Sequence, residues 1–133
     1  MTTTHPSLDD TAHRAHTGEL DFPEVVARLL AVGVESYTVD YRRGDATYYL
    51  AAGTPHTVPL HLPPSAIADA FATDAVRDAI RGAQRGELRY PEFMRRICAA
   101  GCVGYHAWLA GRHVTYLGRR GETHSERFPD PSA

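Results

Sequence analysis

TGELDFPEVVARLLAVGVESY (17–37) and RGELRYPEFMRRICAAGCVGY (85–105) agree at nine of 21 aligned positions when Gly18 is set on Gly86. A chain of 133 residues that states one pattern twice is read by solving the unit once. In each copy a Gly-Glu-Leu turn (Gly18-Glu19-Leu20; Gly86-Glu87-Leu88) leads to an aromatic residue, a proline and a glutamate (Phe22-Pro23-Glu24; Tyr90-Pro91-Glu92). Proline suits the first helical turn, where its missing N–H would be unpaired anyway, and an early carboxylate suits the positive end of the helix dipole. Helices therefore run to about Val32 and Ala100, and Gly33 and Gly101 close them in the left-handed conformation.

Beyond each glycine the period changes from helical to alternating, with Tyr37, Val39 and Tyr41 opposite Tyr105, Ala107 and Leu109 as the core face of a strand. A glycine-containing turn and a second strand follow, carrying Tyr49-Leu50 in one copy and Tyr116-Leu117 in the other, with the copy offset shortened by one at the turn. Gly53 and Gly121, His56 and His124, Thr57 and Ser125, and Leu60 and Phe128 then restore the original offset and mark a third, shorter strand. Upstream, segments 7–17 and 74–85 read as equivalent short helices with Ser7 and Thr73 as N-caps, and Pro63-Pro64-Ser65 opens an inter-repeat helix over about 64–72. The fold class is α+β: two pseudo-symmetric α-α-β-β(-β) repeats, about 7–60 and 74–128, form antiparallel sheet packed by helices in a single domain over 1–133. Duplication gives each half the partner that covers its apolar face.

Fourteen basic residues against 16 acidic ones leave a net charge of −2, so the basic surplus of a general nucleic-acid binder is missing. The pairs Arg42-Arg43, Arg95-Arg96 and Arg119-Arg120 leave room only for a local patch, and nucleic acid is an unlikely partner. Neither a leader pattern nor an apolar run of membrane-spanning length is present, and the chain reads as cytoplasmic with no membrane partner. Cys98 and Cys102, on either side of Gly101 at the end of a helix, read as reduced and structural.

Eight histidines invite a metal reading, but Cys98, Cys102 and His106 straddle a helix and a strand, their counterparts Leu30, Val34 and Thr38 are packing residues, and no CxxC or HExxH occurs. No metal site, cofactor or catalytic residue is assigned. The residues proposed for ligand or partner contact are His106, Trp108, His113, Tyr37, Tyr105, His56 and His124. His106 and Trp108 alternate away from the core face, with His113 joining from the paired strand; either the inter-repeat helix or the C-terminal tail covers them, or they meet a ligand or partner. His56 and His124 occupy equivalent positions that a pseudo-two-fold could bring near one another. Tyr37/Tyr105 and Tyr49/Tyr116 read as core aromatics with hydroxyls at the rim, and Glu24 and Glu92 as helix-start residues.

The segments QRGELRYPEF (84–93), AAGCVGYHAWLAGRHVTYLG (99–118) and ETHSERFP (122–129) resemble a bacterial family of small proteins of unknown function, often labelled phage envelope protein-like. The resemblance covers about residues 20–129 and implies an α+β fold of this length with no assigned activity. The leading reading is a noncatalytic cytoplasmic binding or interaction module, phage-derived if that label holds, with an unknown protein or small-molecule partner. The alternative is a small-molecule-binding protein or enzyme with a pocket between the two repeats. An open edge strand could also pair across a two-fold to make a homodimer.

Overall fold

A computed structural model describes residues 6–60 and 62–129. Copy one contributes α1 (Pro6–Thr17), α2 (Phe22–Ala31), β1 (Val34–Asp40), β2 (Asp45–Leu50) and β3 (His56–Pro59). Copy two contributes α3 (Thr73–Gln84), α4 (Tyr90–Ala99), β4 (Cys102–Trp108), β5 (His113–Gly118) and β6 (Thr123–Arg127). The six strands form one antiparallel sheet in the order β3-β2-β1-β4-β5-β6, so the copies meet along β1 and β4. This is an α+β single domain with the expected repeat layout, including the third strand of each copy.

The register of the seam locates the symmetry. Thr38 pairs with His106, its own equivalent in the second copy, while Ser36↔Trp108 and Asp40↔Gly104 are exchanged by the same operation. The pseudo-two-fold therefore passes through the Thr38/His106 pair, perpendicular to the sheet. Around this axis α1 packs on α2 and α4, and α3 packs on α4 and α2. The four helices form a ring over one face of the sheet, and beneath it lie Tyr37, Val39, Ala46 and Tyr48 with Tyr105, Ala107, Val114 and Tyr116, all buried.

Helix α2 starts on a capping box: Asp21 Oδ1 accepts from the Glu24 N–H at 3.0 Å and Glu24 Oε1 from the Asp21 N–H at 3.1 Å. At the equivalent point Arg89 caps nothing with its side chain and instead donates to the carbonyls of Gly18 and Glu19 in the other copy. Each turn thus serves its own helix or the neighbouring copy.

Three expectations need correction. Segment 64–72 contains no helix, because its backbone groups are satisfied from outside. The N–H groups of Ala68 and Ala72 donate to the carbonyls of Cys98 and Ala100 at 3.0 and 2.8 Å, using acceptors that the end of α4 leaves open. The carbonyls of Ile67, Ala68 and Asp69 accept from Arg119 and Arg120. Second, neither Ser7 nor Thr73 is an N-cap: both lie inside their helices, and the cap position of α3 is Ala72, fixed by its bond to Ala100. Third, the copy offset never shortens. β2 maps onto β5 at the offset that sets Gly18 on Gly86, so Tyr48, not Tyr49, is the counterpart of Tyr116. Tyr48 faces Tyr37 from the core side, and Tyr49 is exposed on the opposite face, because the strand's alternation outranks the Tyr-Leu identity.

The two helix-closing glycines share a left-handed backbone, φ +90° at Gly33 and +93° at Gly101, but not an environment. A Cβ at Gly33 meets open space, whereas one at Gly101 runs into the Ala70 carbonyl of the linker. Gly33→Ala should therefore cost only the left-handed penalty of about 1–2 kcal/mol. Gly101→Ala should cost that and the displacement of the linker, about 3 kcal/mol or more. Urea denaturation of both variants checks the order; equal losses would mean that the linker does not press on Gly101.

Candidate functional site

Between the helix ring and the sheet lies a cavity of about 60 Å³. Most of its lining falls into seven pairs related by the copy offset: 15/83, 16/84, 20/88, 22/90, 25/93, 37/105 and 48/116. The cavity thus sits on the pseudo-two-fold, and each half contributes the same stretch of wall. Its half-buried members are Phe22, Val25, Ala83, Gln84, Leu88 and Tyr90 on the helix side, while Tyr37, Tyr48, Tyr105 and Tyr116 on the sheet are nearly inaccessible.

The wall is largely aromatic, with one imidazole, His16. Tyr37 stacks on Tyr48 with ring centres 5.2 Å apart, and their counterparts Tyr105 and Tyr116 lie 5.3 Å apart. Tyr37 and Tyr105 meet edge to face at 6.0 Å across the seam. The Tyr90 hydroxyl lies 3.0 Å from those of both Tyr41 and Tyr105, a chain that ties α4 to both central strands. His16, 3% exposed, brings its ring to 5.5 Å from that of Tyr90. Among the described residues no Asp, Glu, Lys or Arg lines the space. Burial pushes the Tyr37 hydroxyl up to about 12 and holds Tyr41, Tyr48, Tyr90, Tyr105 and Tyr116 above the usual phenol value. Near neutral pH these hydroxyls are protonated donors, not bases.

The seven residues designated from the sequence fall in four places: the cavity, the opposite face of the sheet and its two outer edges. Tyr37 and Tyr105 line the cavity. His106, Trp108 and His113 lie on the opposite face of the sheet, where His106 and Trp108 stack at 3.5 Å and 17° and His113 stands 6.2 Å from Trp108. Tyr49 extends the row at 6.2 Å from His106. With the inter-repeat helix absent, no described residue covers this face well enough to bury Trp108, which is 38% exposed. Burial against its neighbours lowers the pKa of His106, whose Nε2 has no hydrogen-bond partner among the described residues.

His56 and His124 occupy β3 and β6, the two outermost strands, five strand spacings or roughly 24 Å apart. The axis that makes them equivalent also keeps them apart. Each has a local carboxylate: Asp9 lies 2.7 Å from His56 Nε2, and Glu126 lies 2.8 Å from His124 Nε2. Among the described residues no three or more His, Cys, Asp or Glu side chains are grouped to hold a metal ion. Cys98 and Cys102 are fully buried, and burial pushes their thiols up to about 12 and about 11. Glu92 pairs with Arg95 and Arg96, and Glu24 belongs to its capping box.

His16, Phe22, Tyr48, Gln84 and Tyr90 line the cavity but were not designated from sequence. A usable signal existed for one pair. His16 and Gln84 are equivalent at the copy offset, and a polar side chain held at the same place on two buried helix stripes marks a shared polar edge.

The geometry defines an open-faced α+β module: a helix ring over one face of a duplicated antiparallel sheet, with a tyrosine-lined cavity on the symmetry axis. The chain belongs to the family described as protein of unknown function DUF1398, whose model matches residues 10–126 and so spans both copies and the seam. No curated protein matches the chain.

The buried tyrosines set the alkaline limit. An unfolded tyrosine ionises near its ordinary value of 10, while that of folded Tyr37 is raised to about 12, so its contribution is fully present below pH 10 and is lost as pH rises through about 12; the other buried tyrosines, also raised by burial, act in the same direction. Tyrosinate absorbance and circular dichroism, followed together through this alkaline range, should change in one step. Ionisation of these tyrosines with the dichroism intact would contradict their burial.

Proposed function

We propose that this protein is a noncatalytic binding module that holds a small uncharged molecule in the cavity between its two copies. The observation that carries the reading is the position of the cavity on the pseudo-two-fold, walled by equivalent residues from both halves. Packing of two copies of one unit favours pockets at the junction, and an apolar wall with a few directed polar groups is what a small-molecule site requires. The protonated tyrosines support binding over chemistry, since the described lining offers neither carboxylate nor thiolate. At about 60 Å³ the enclosed part exceeds what one water needs and suits a few non-hydrogen atoms. Cytoplasmic residence, phage ancestry and homodimerisation are further expectations that this reading neither needs nor uses.

Xenon, a probe of apolar cavities, tests the proposal. Under xenon pressure the amide resonances of Tyr37, Tyr48, Tyr105 and Tyr116 should shift together, and Ala83→Leu, which places a side chain in the cavity, should remove the response. Shifts confined to Trp108 and Tyr49, or none at all, would count against the cavity and return attention to the outer face.

A further inference from the structure

The sheet ends in two edges that the pseudo-two-fold makes equivalent, and the sequence treats them differently. At the β5–β6 ladder the Gly118 N–H donates to the Glu122 carbonyl and the Phe128 N–H to the Arg112 carbonyl. Bonding alternates between these two points, so the backbone groups of His124 and Glu126 turn toward β5 and those of Thr123, Ser125 and Arg127 turn away from the sheet. At the other edge the Leu60 N–H donates to the Gly44 carbonyl, which by the same alternation turns residues 55, 57 and 59 outward. Two of these are Pro55 and Pro59, which have no N–H to offer. Proline on an edge guards it against pairing with another chain. The counterparts at the copy offset are Thr123 and Arg127, so β6 keeps the donors that β3 lacks. Among the described residues nothing bonds to the outward N–H groups of Thr123, Ser125 and Arg127; the Arg127 carbonyl accepts from Gln84 Nε2 at 3.2 Å, and a carbonyl can accept twice.

We infer that β6 is the docking strand for a second molecule of this chain, paired antiparallel across a two-fold at Ser125 so that two six-stranded sheets become one. The side chains select that occupant and that register. With Ser125 facing its own counterpart, Thr123 faces Arg127 and His124 faces Glu126, and no like charges meet. Glu126, already 2.8 Å from His124 of its own strand, is then flanked by an imidazole from each molecule. Moving the two-fold by one residue breaks this match: centred on Glu126 it sets two carboxylates face to face, and centred on His124 it sets Glu126 against Glu122. The Ser125 register also brings the outward donors of each molecule opposite outward acceptors of the other, a ladder of about six hydrogen bonds. No residue of β6 lines the cavity, so this inference is independent of what the cavity holds.

Sedimentation equilibrium on the full chain, run from micromolar to millimolar concentration, tests the inference. The parent should approach twice the mass of one chain. The double variant Thr123→Pro/Arg127→Pro gives β6 the prolines that β3 already carries at equivalent places, so it should fold as the parent does. It should weaken dimerisation at least about thirtyfold, because two donors are lost from each molecule. Ser125→Lys and Ser125→Glu each set like charges on the two-fold and should each stay monomeric where the parent is dimeric, while an equimolar mixture of the two should recover the dimer. Both substitutions replace an exposed side chain, which keeps the test decisive if the proline variant fails to fold. A parent that is monomeric throughout the range would overturn the inference. So would a dimer that neither the prolines nor the charges at 125 weaken, since its contact would lie elsewhere, with the Trp108 face the first place to look.

Discussion

Everything in this molecule hangs on the pairing of β1 with β4. That ladder joins two three-stranded halves into one six-stranded sheet, and its register, Thr38 opposite His106, puts the symmetry axis through the middle of the edge that the copies share. Without it each half, about 60 residues, would keep three strands and two helices around half a core and leave its seam edge bare, which makes it marginal on its own. With it, the helices of one copy lean on those of the other. The cross-copy bonds from Arg89 to the Gly18 and Glu19 carbonyls fasten the ring above the seam.

Perfect symmetry would make the two ends of the cavity alike, and the sequence breaks it at one informative pair. Tyr90 and Phe22 are equivalent, but only Tyr90 has a hydroxyl to join Tyr41 and Tyr105, so that end is tied to both central strands. Phe22 has no such tether and rests edge to face on Phe128 at 5.4 Å. On the far side of the sheet the same axis emerges beside the His106/Trp108 stack, so the two regions that the sequence marked for contact lie back to back and not in one site.

The unit, its order of elements and its core face were legible because three independent signals agreed: the aromatic-Pro-Glu helix starts, the closing glycines and the alternation of Tyr37, Val39 and Tyr41. Where only one signal was present, the reading failed. Pro63-Pro64-Ser65 looks like a helix start, yet the following backbone is claimed by the carbonyls at the end of α4 and by two arginines from the distant β5–β6 turn. Tyr-Leu identity suggested Tyr49 as the partner of Tyr116, but a strand's face is set by phase, and phase selects Tyr48. The site was legible in part. Tyr37 and Tyr105 were named for being core aromatics, whereas His16 and Gln84 depend on how α1 and α3 sit over the seam, which no local pattern encodes.

Separate expression of the two halves, divided at residue 61, tests most directly whether the seam makes the fold. Each half alone should be unfolded or should associate with a second copy of itself across its exposed seam strand. Mixing them should restore the heteronuclear amide spectrum of the intact chain. A half that folds cooperatively as a monomer would contradict the claim that each copy exists to cover the other.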